Sequence, residues 1–110
     1  MAKWSGTYTE FDESFSLTEW SEEVSEVVVA KDRIALAWAE DGWQYGVTLR
    51  PTVEDETEFW LGKITCRSDP GTDGEIRGLR YDLKDGGVIL IVTWHYGGRA
   101  GAGMYDFYAK

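Results

Sequence analysis

Residues with chemistry of their own are few in this chain. His95 is the only histidine and Cys66 the only cysteine. A structural zinc site needs about four such ligands, so a histidine-based metal cluster is excluded. A nucleophile–base pair of Cys66 with His95 is conceivable, since both fall in stretches that read as strands. However, Cys66 alternates in phase with Trp60 and Ile64, which reads as a buried thiol acting as a small hydrophobe. Two residue types without a geometry do not define catalysis. No catalytic residue is assigned.

The motif-like stretches fail on spacing. Asp69, Asp73 and Gly74 match positions one, five and six of a calcium loop, but Gly71 stands third and Arg80 twelfth, where a glutamate is needed. Glu54, Asp55, Glu56 and Glu58 read as a solvated acidic loop. Gly98, Gly101 and Gly103 lie in a hairpin with no helix after them, unlike a dinucleotide fingerprint. There is no P-loop, no Gly-x-Ser-x-Gly and no His-Glu-x-x-His. Neither a metal nor a cofactor is expected.

The aromatic residues are more informative. Trp38, Trp43, Tyr45, Trp60 and Tyr81 fall in phase with the apolar faces of their segments. They read either as core filling, because rings bury the most area per residue, or as the wall of a small-molecule cavity. Together with His95 they are the candidate ligand contacts. For His95 the plainer reading is a hydrogen-bonded structural histidine.

The elements that would position these residues are strands. Thirteen Gly, sixteen aromatics, two Pro and no Asn suit short strands joined by tight turns. Asp-Gly occurs at 41–42, 73–74 and 85–86, a dipeptide that accepts type I′ turns. Trp4 and Tyr8 share one face of a first strand, and Asp12-Glu13-Ser14 turns the chain. Ile34, Leu36 and Trp38 share a face, as do Tyr45, Val47 and Leu49, and Pro51 is expected to end that strand. Pro70-Gly71 is another turn signal. Leu79, Tyr81 and Leu83 are expected inward, with Gly78, Arg80 and Asp82 outward. A last hairpin pairs Val88–Trp94 with the segment carrying Tyr105 and Phe107. Residues 15–30 are ambiguous: Leu17, Trp20, Val24, Val27 and Val28 have helical spacing, whereas three consecutive valines favour a strand at 24–30.

The chain therefore reads as one all-β domain, residues 1–110. It is an antiparallel up-and-down meander of about eight strands closed into a small barrel, since closure removes exposed edges. The alternative is an α+β fold, with one helix near 16–28 packed on a curved antiparallel sheet. In Trp4-Ser5-Gly6-Thr7-Tyr8, the meander and the glycine-rich last hairpin, the chain resembles the calycin barrels, lipocalins and avidins among them. Tyr8 takes the place of the tryptophan in their Gly-x-Trp element. The resemblance implies a barrel that binds a small, often apolar ligand in its mouth.

Charge narrows the partners. The net charge is −9, and residues 1–30 hold seven acids against one base. That sign repels phosphate backbones, so nucleic acid and anionic membranes are not expected partners. The longest apolar run, 88–94, is far short of the ~18 residues of a membrane helix. Met1-Ala2-Lys3-Trp4 lacks the apolar core of a signal peptide, so a cytoplasmic setting is expected. The functional expectation is a small binding module for an apolar or aromatic ligand. An inhibitor-type module docking through the acidic N-terminal face is the alternative. The 88–94 segment is apolar on both faces, which predicts a homodimer through it or a helix covering it.

Overall fold

Alternating hydropathy becomes strand along almost the whole chain. The described residues form β1 (Trp4–Phe11), β2 (Leu17–Val29), β3 (Ile34–Glu40), β4 (Trp43–Glu54), β5 (Thr57–Cys66), β6 (Asp73–Asp82), β7 (Val88–Tyr96) and β8 (Arg99–Ala109). The structure is a computed structural model and describes residues 3–12, 14, 16–69, 71 and 73–109. Glu13, Phe15 and the Pro70 turn signal lie outside these residues. Every strand pairs antiparallel with the next, and β1 also pairs with β8, closing the barrel. No helix occurs among the described residues, so none crosses a membrane.

The helical alternative for 16–28 gives way to one long strand, β2. Its misleading spacing has a local cause. Glu26 takes a positive φ of 51°, and the register slips between Ser25 and Val28. This β-bulge adds one residue to the strand and resets its alternation. Val24 before it and Val27 and Val29 after it all pack on the core, while Val28 is exposed.

The glycine turns are as tight as the sequence suggested, and one expected loop is tighter. Asp41-Gly42 has φ of 51° and 82°, and Gly97-Gly98 has 57° and 80°, the paired positive values of a type I′ hairpin. The expected acidic loop at 52–58 shrinks to a two-residue turn, Asp55-Glu56, also at positive φ. Pro51 does not end its strand. It pairs with Trp60 inside β4, and β3 pairs with β4 only as far as Leu49, so the absent N–H is needed by no β3 partner. Asp73-Gly74 opens β6 and makes no turn.

The expected phase of β6 is reversed. Ile76 is 1 % exposed, whereas Leu79 and Tyr81 are 45 % and 51 % exposed. Gly78 lies between Trp60 on β5 and Val92 on β7, where an added Cβ would sit 2.8 Å from Val92. Arg80 follows inward in the same phase. Its guanidinium stacks 5.0 Å above Trp60, donates 2.6 Å to the carbonyl of Ala30 and meets Asp82 at 3.1 Å. These contacts make an inward arginine tolerable. Around it, Ile34, Leu49, Leu90 and Phe107 have no exposed surface. This end of the barrel is filled.

Candidate ligand-binding site

The opposite end is open. A cavity of about 490 Å³ enters the barrel at the mouth formed by the end of β1, the start of β2, the β3–β4 hairpin and the β7–β8 hairpin. Small-molecule sites span roughly 300–1,000 Å³. The floor is Ile64 and Ile76, and the walls carry Tyr8, Trp38, Tyr45, Trp94, Tyr96 and Tyr105. Glu10, Glu22, Glu40, Gly97 and Arg99 complete the lining.

The rings form two groups. Trp38 and Tyr45 face each other across β3 and β4, stacked at 5.4 Å and 14°. Tyr96 meets Tyr45 edge-on at 5.7 Å and 87°. Both arrangements suit aromatic quadrupoles. On the other side Tyr8 leans on Tyr105 at 4.9 Å, and Tyr105 stacks on Phe107 at 5.6 Å. Trp94 Nε1 donates to the Tyr8 hydroxyl at 2.9 Å. The glycines of β8 make room for these rings. A Cβ on Gly101 would lie 2.6 Å from the Trp94 ring, and one on Gly103 would overlap Tyr8. The Gly-rich hairpin is therefore a seat for aromatic side chains.

Burial sets the electrostatics. It pushes the Tyr8 phenol up to about 12, against the hydrogen bond from Trp94 and with help from Glu10 and Glu22. Burial raises Tyr105 further, seconded by Tyr8 and Glu22. Glu22 is also held above the usual carboxylate range, first by burial and then by the charges of Glu40 and Glu10. The phenols are thus neutral donors and acceptors at pH 7.

Among the six sequence candidates, Trp38 and Tyr45 come together on the cavity wall. Trp60 is buried at the filled end, 3 % exposed. Trp43 keeps the phase of Tyr45 but sits at the strand's exposed start. Tyr81 is on the outer surface, because β6 runs in the opposite phase. His95 is exposed, on the face opposite its neighbours Trp94 and Tyr96. Cys66 is buried, as its alternation with Trp60 and Ile64 predicts.

The lining residues that sequence reasoning missed are Tyr8, Trp94, Tyr96, Tyr105 and the three glutamates. Their signal was present. Trp94 and Tyr96 continue the phase of Leu90 and Val92, and Tyr105 that of Phe107. Glu10, Glu22 and Glu40 stand two residues from Tyr8, Val24 and Trp38, so strict alternation turns them inward too.

Fold and site together define an eight-stranded up-and-down β-barrel, filled at one end and hollow at the other. No protein-family model, curated protein or solved structure matches the chain.

Proposed function

We propose that this chain is a binding module that holds one small molecule with an apolar or aromatic body in the mouth of its barrel. The observation that carries this reading is the asymmetry of the interior. Side chains fill one half, and about 490 Å³ walled by six aromatic rings stays open in the other. A core built for stability alone gains from filling such a space, since interiors pack densely. The calycin-like arrangement supports the same reading, because those barrels hold ligands at this place. The lone cysteine is in keeping with a cytoplasmic setting.

Titration with 2-phenylethanol, followed by tryptophan emission and calorimetry, tests it. Saturable binding is expected, weakened about tenfold in Trp38→Ala, which removes most of one wall. A panel of aromatic and aliphatic probes that leaves the emission and heat unchanged would overturn the reading.

A second copy of the chain is the proposed partner on the outer surface. Ile89 and Ile91 of β7 lie beside Tyr81 and Leu79 of β6, and Met104 of β8 extends the stripe. Such a patch suits a symmetric sheet-to-sheet dimer. Sedimentation at micromolar concentration is expected to give a dimer that Ile91→Lys dissociates; a wild-type monomer would exclude it.

A further inference from the structure

We infer that the molecule held in this mouth is an organic cation: a protonated amine carried on an apolar or aromatic body. This deepens the reading above and rests on it. Three independent features of the cavity agree on the sign of the ligand's charge.

The first is the balance of charge on its wall. Glu10, Glu22 and Glu40 come from three different strands and meet at one opening, against the single cation Arg99. None of the three makes an ion pair among the described residues. Glu22 is half-buried beside apolar rings, and the charges of Glu40 and Glu10 bear on it. A barrel selected for stability alone would not gather them here. A bound cation offsets both costs, whereas a neutral ligand leaves them standing and an anion adds to them.

The second is the arrangement of rings. The Trp38–Tyr45 stack and the perpendicular Tyr96 make two walls at right angles. Tryptophan and tyrosine faces carry the negative lobe of the ring quadrupole and attract a cation lying over them. Orthogonal aromatic walls beside a carboxylate suit an ammonium group, and the isoleucine floor takes its apolar body.

The third is Tyr105. It is 5 % exposed and lies on the cavity wall, yet its hydroxyl makes no hydrogen bond among the described residues. No buried side-chain oxygen among the described residues lacks a partner, so this hydroxyl opens onto the cavity, where a ligand can meet it. A phenol oxygen facing the cavity accepts a hydrogen bond from an ammonium N–H.

The test uses one body with three charges: 2-phenylethylammonium, 2-phenylethanol and phenylacetate, each titrated into the full chain by calorimetry at pH 7. The ammonium is expected to bind at least about tenfold tighter than the alcohol, with phenylacetate weakest. Added salt is expected to weaken the ammonium and leave the alcohol unchanged. Glu22→Gln and Glu40→Gln are each expected to cut the preference for the ammonium several-fold without changing the alcohol's affinity. Glu23→Gln makes the same change in net charge on the outer face of β2 and is expected to do neither. An alcohol that binds as tightly as the ammonium overturns the inference and leaves the binding module standing. A preference that survives Glu22→Gln/Glu40→Gln overturns it as well. If none of the three probes binds, the inference falls, and if the wider aromatic and aliphatic panel is also silent the reading beneath it falls with it. The probe series and its salt dependence need no variant, so the outcome does not hang on whether a substituted barrel folds.

Discussion

The indole of Trp94 donates a 2.9 Å hydrogen bond to the hydroxyl of Tyr8. The two residues lie on β7 and β1, which are not neighbours; β8 runs between them. The bond therefore spans β8 on its inner side, and it can do so only because that strand is bare. Gly101 lies opposite Trp94 in the ladder, and a side chain at Gly103 would stand where the Tyr8 ring lies.

Gly103→Ala is accordingly expected to break this bridge by pushing the Tyr8 ring away. Overpacking of this kind costs about 1–3 kcal/mol, to be read by urea unfolding. The indole N–H resonance of Trp94 should lose its hydrogen-bonded shift. Tyr8→Phe keeps the ring and removes the hydroxyl that Trp94 bonds to, so its cost should be smaller, about 1 kcal/mol. Losses that simply add in the double variant would show that the glycine does not act through the Tyr8 hydroxyl.

The buried phenols set an alkaline limit. Tyr8 is raised to about 12 from 10.0 by burial, and Tyr105 is raised beyond it. Between pH 10 and about 12 the unfolded chain releases these protons while the folded chain keeps them. Stability is thus fully present below pH 10 and falls as pH rises through that window. The slope is about 1.4 kcal/mol per pH unit for each phenol. Unfolding midpoints measured from pH 8 to 12 should show the fall, and Tyr8→Phe should make it shallower.

Glu22 gives a lever of the same sign in the acid range. It faces Tyr8 and Glu10 on β1, Glu40 on β3, and Tyr105 and Arg99 on β8. Burial, then Glu40 and Glu10, hold its carboxyl above 4.5. Just above pH 4.5 the unfolded chain has released this proton and the folded chain retains it. Stability therefore drops as pH rises through the folded value and stays lower at neutrality. Glu22→Gln is expected to raise the melting temperature at pH 7 and to leave it unchanged at pH 3, where the carboxyl is protonated in both states. A melting temperature lowered at pH 7 would show that the carboxylate has a stabilising partner.

These relationships differ in how far the sequence announced them. Sequential pairing was legible because each hairpin carries its own alternation and turn residues, as Ile34–Trp38 and Tyr45–Leu49 do around Asp41-Gly42. Two segments misled for physical reasons. The bulge at Glu26 places Val24 and Val27 on one side three residues apart, which imitates a helix. In β6 the apolar residues Leu79 and Tyr81 mark an outer stripe, while the inner line is Gly78 and Arg80. No pattern of hydropathy tells a glycine that admits a neighbouring indole from one that turns. The mouth was hidden differently. Its carboxylates sit in inward phase, yet a charged residue at a strand end reads as solvated until closure of the barrel brings β1, β2 and β3 together.

Arg80 is where that misreading can be tested. An inward guanidinium that stacks on Trp60 and bonds to Ala30 holds the filled end, with its side chain only 14 % exposed. Hydrogen bonds from a charged donor contribute about 1.5–3 kcal/mol, so Arg80→Met should lose about that much by urea unfolding. Arg80→Lys should fall between the two, because a lysine keeps the charge but lacks the planar fork that satisfies ring, carbonyl and Asp82 together. The emission of Trp60 should shift in both variants. Because Arg80 lies at the end remote from the cavity, binding of 2-phenylethylammonium at the mouth should keep its wild-type affinity wherever the barrel remains folded. An arginine on the outer face, as alternation of Leu79 and Tyr81 implies, would instead be replaceable by methionine at less than about 0.5 kcal/mol.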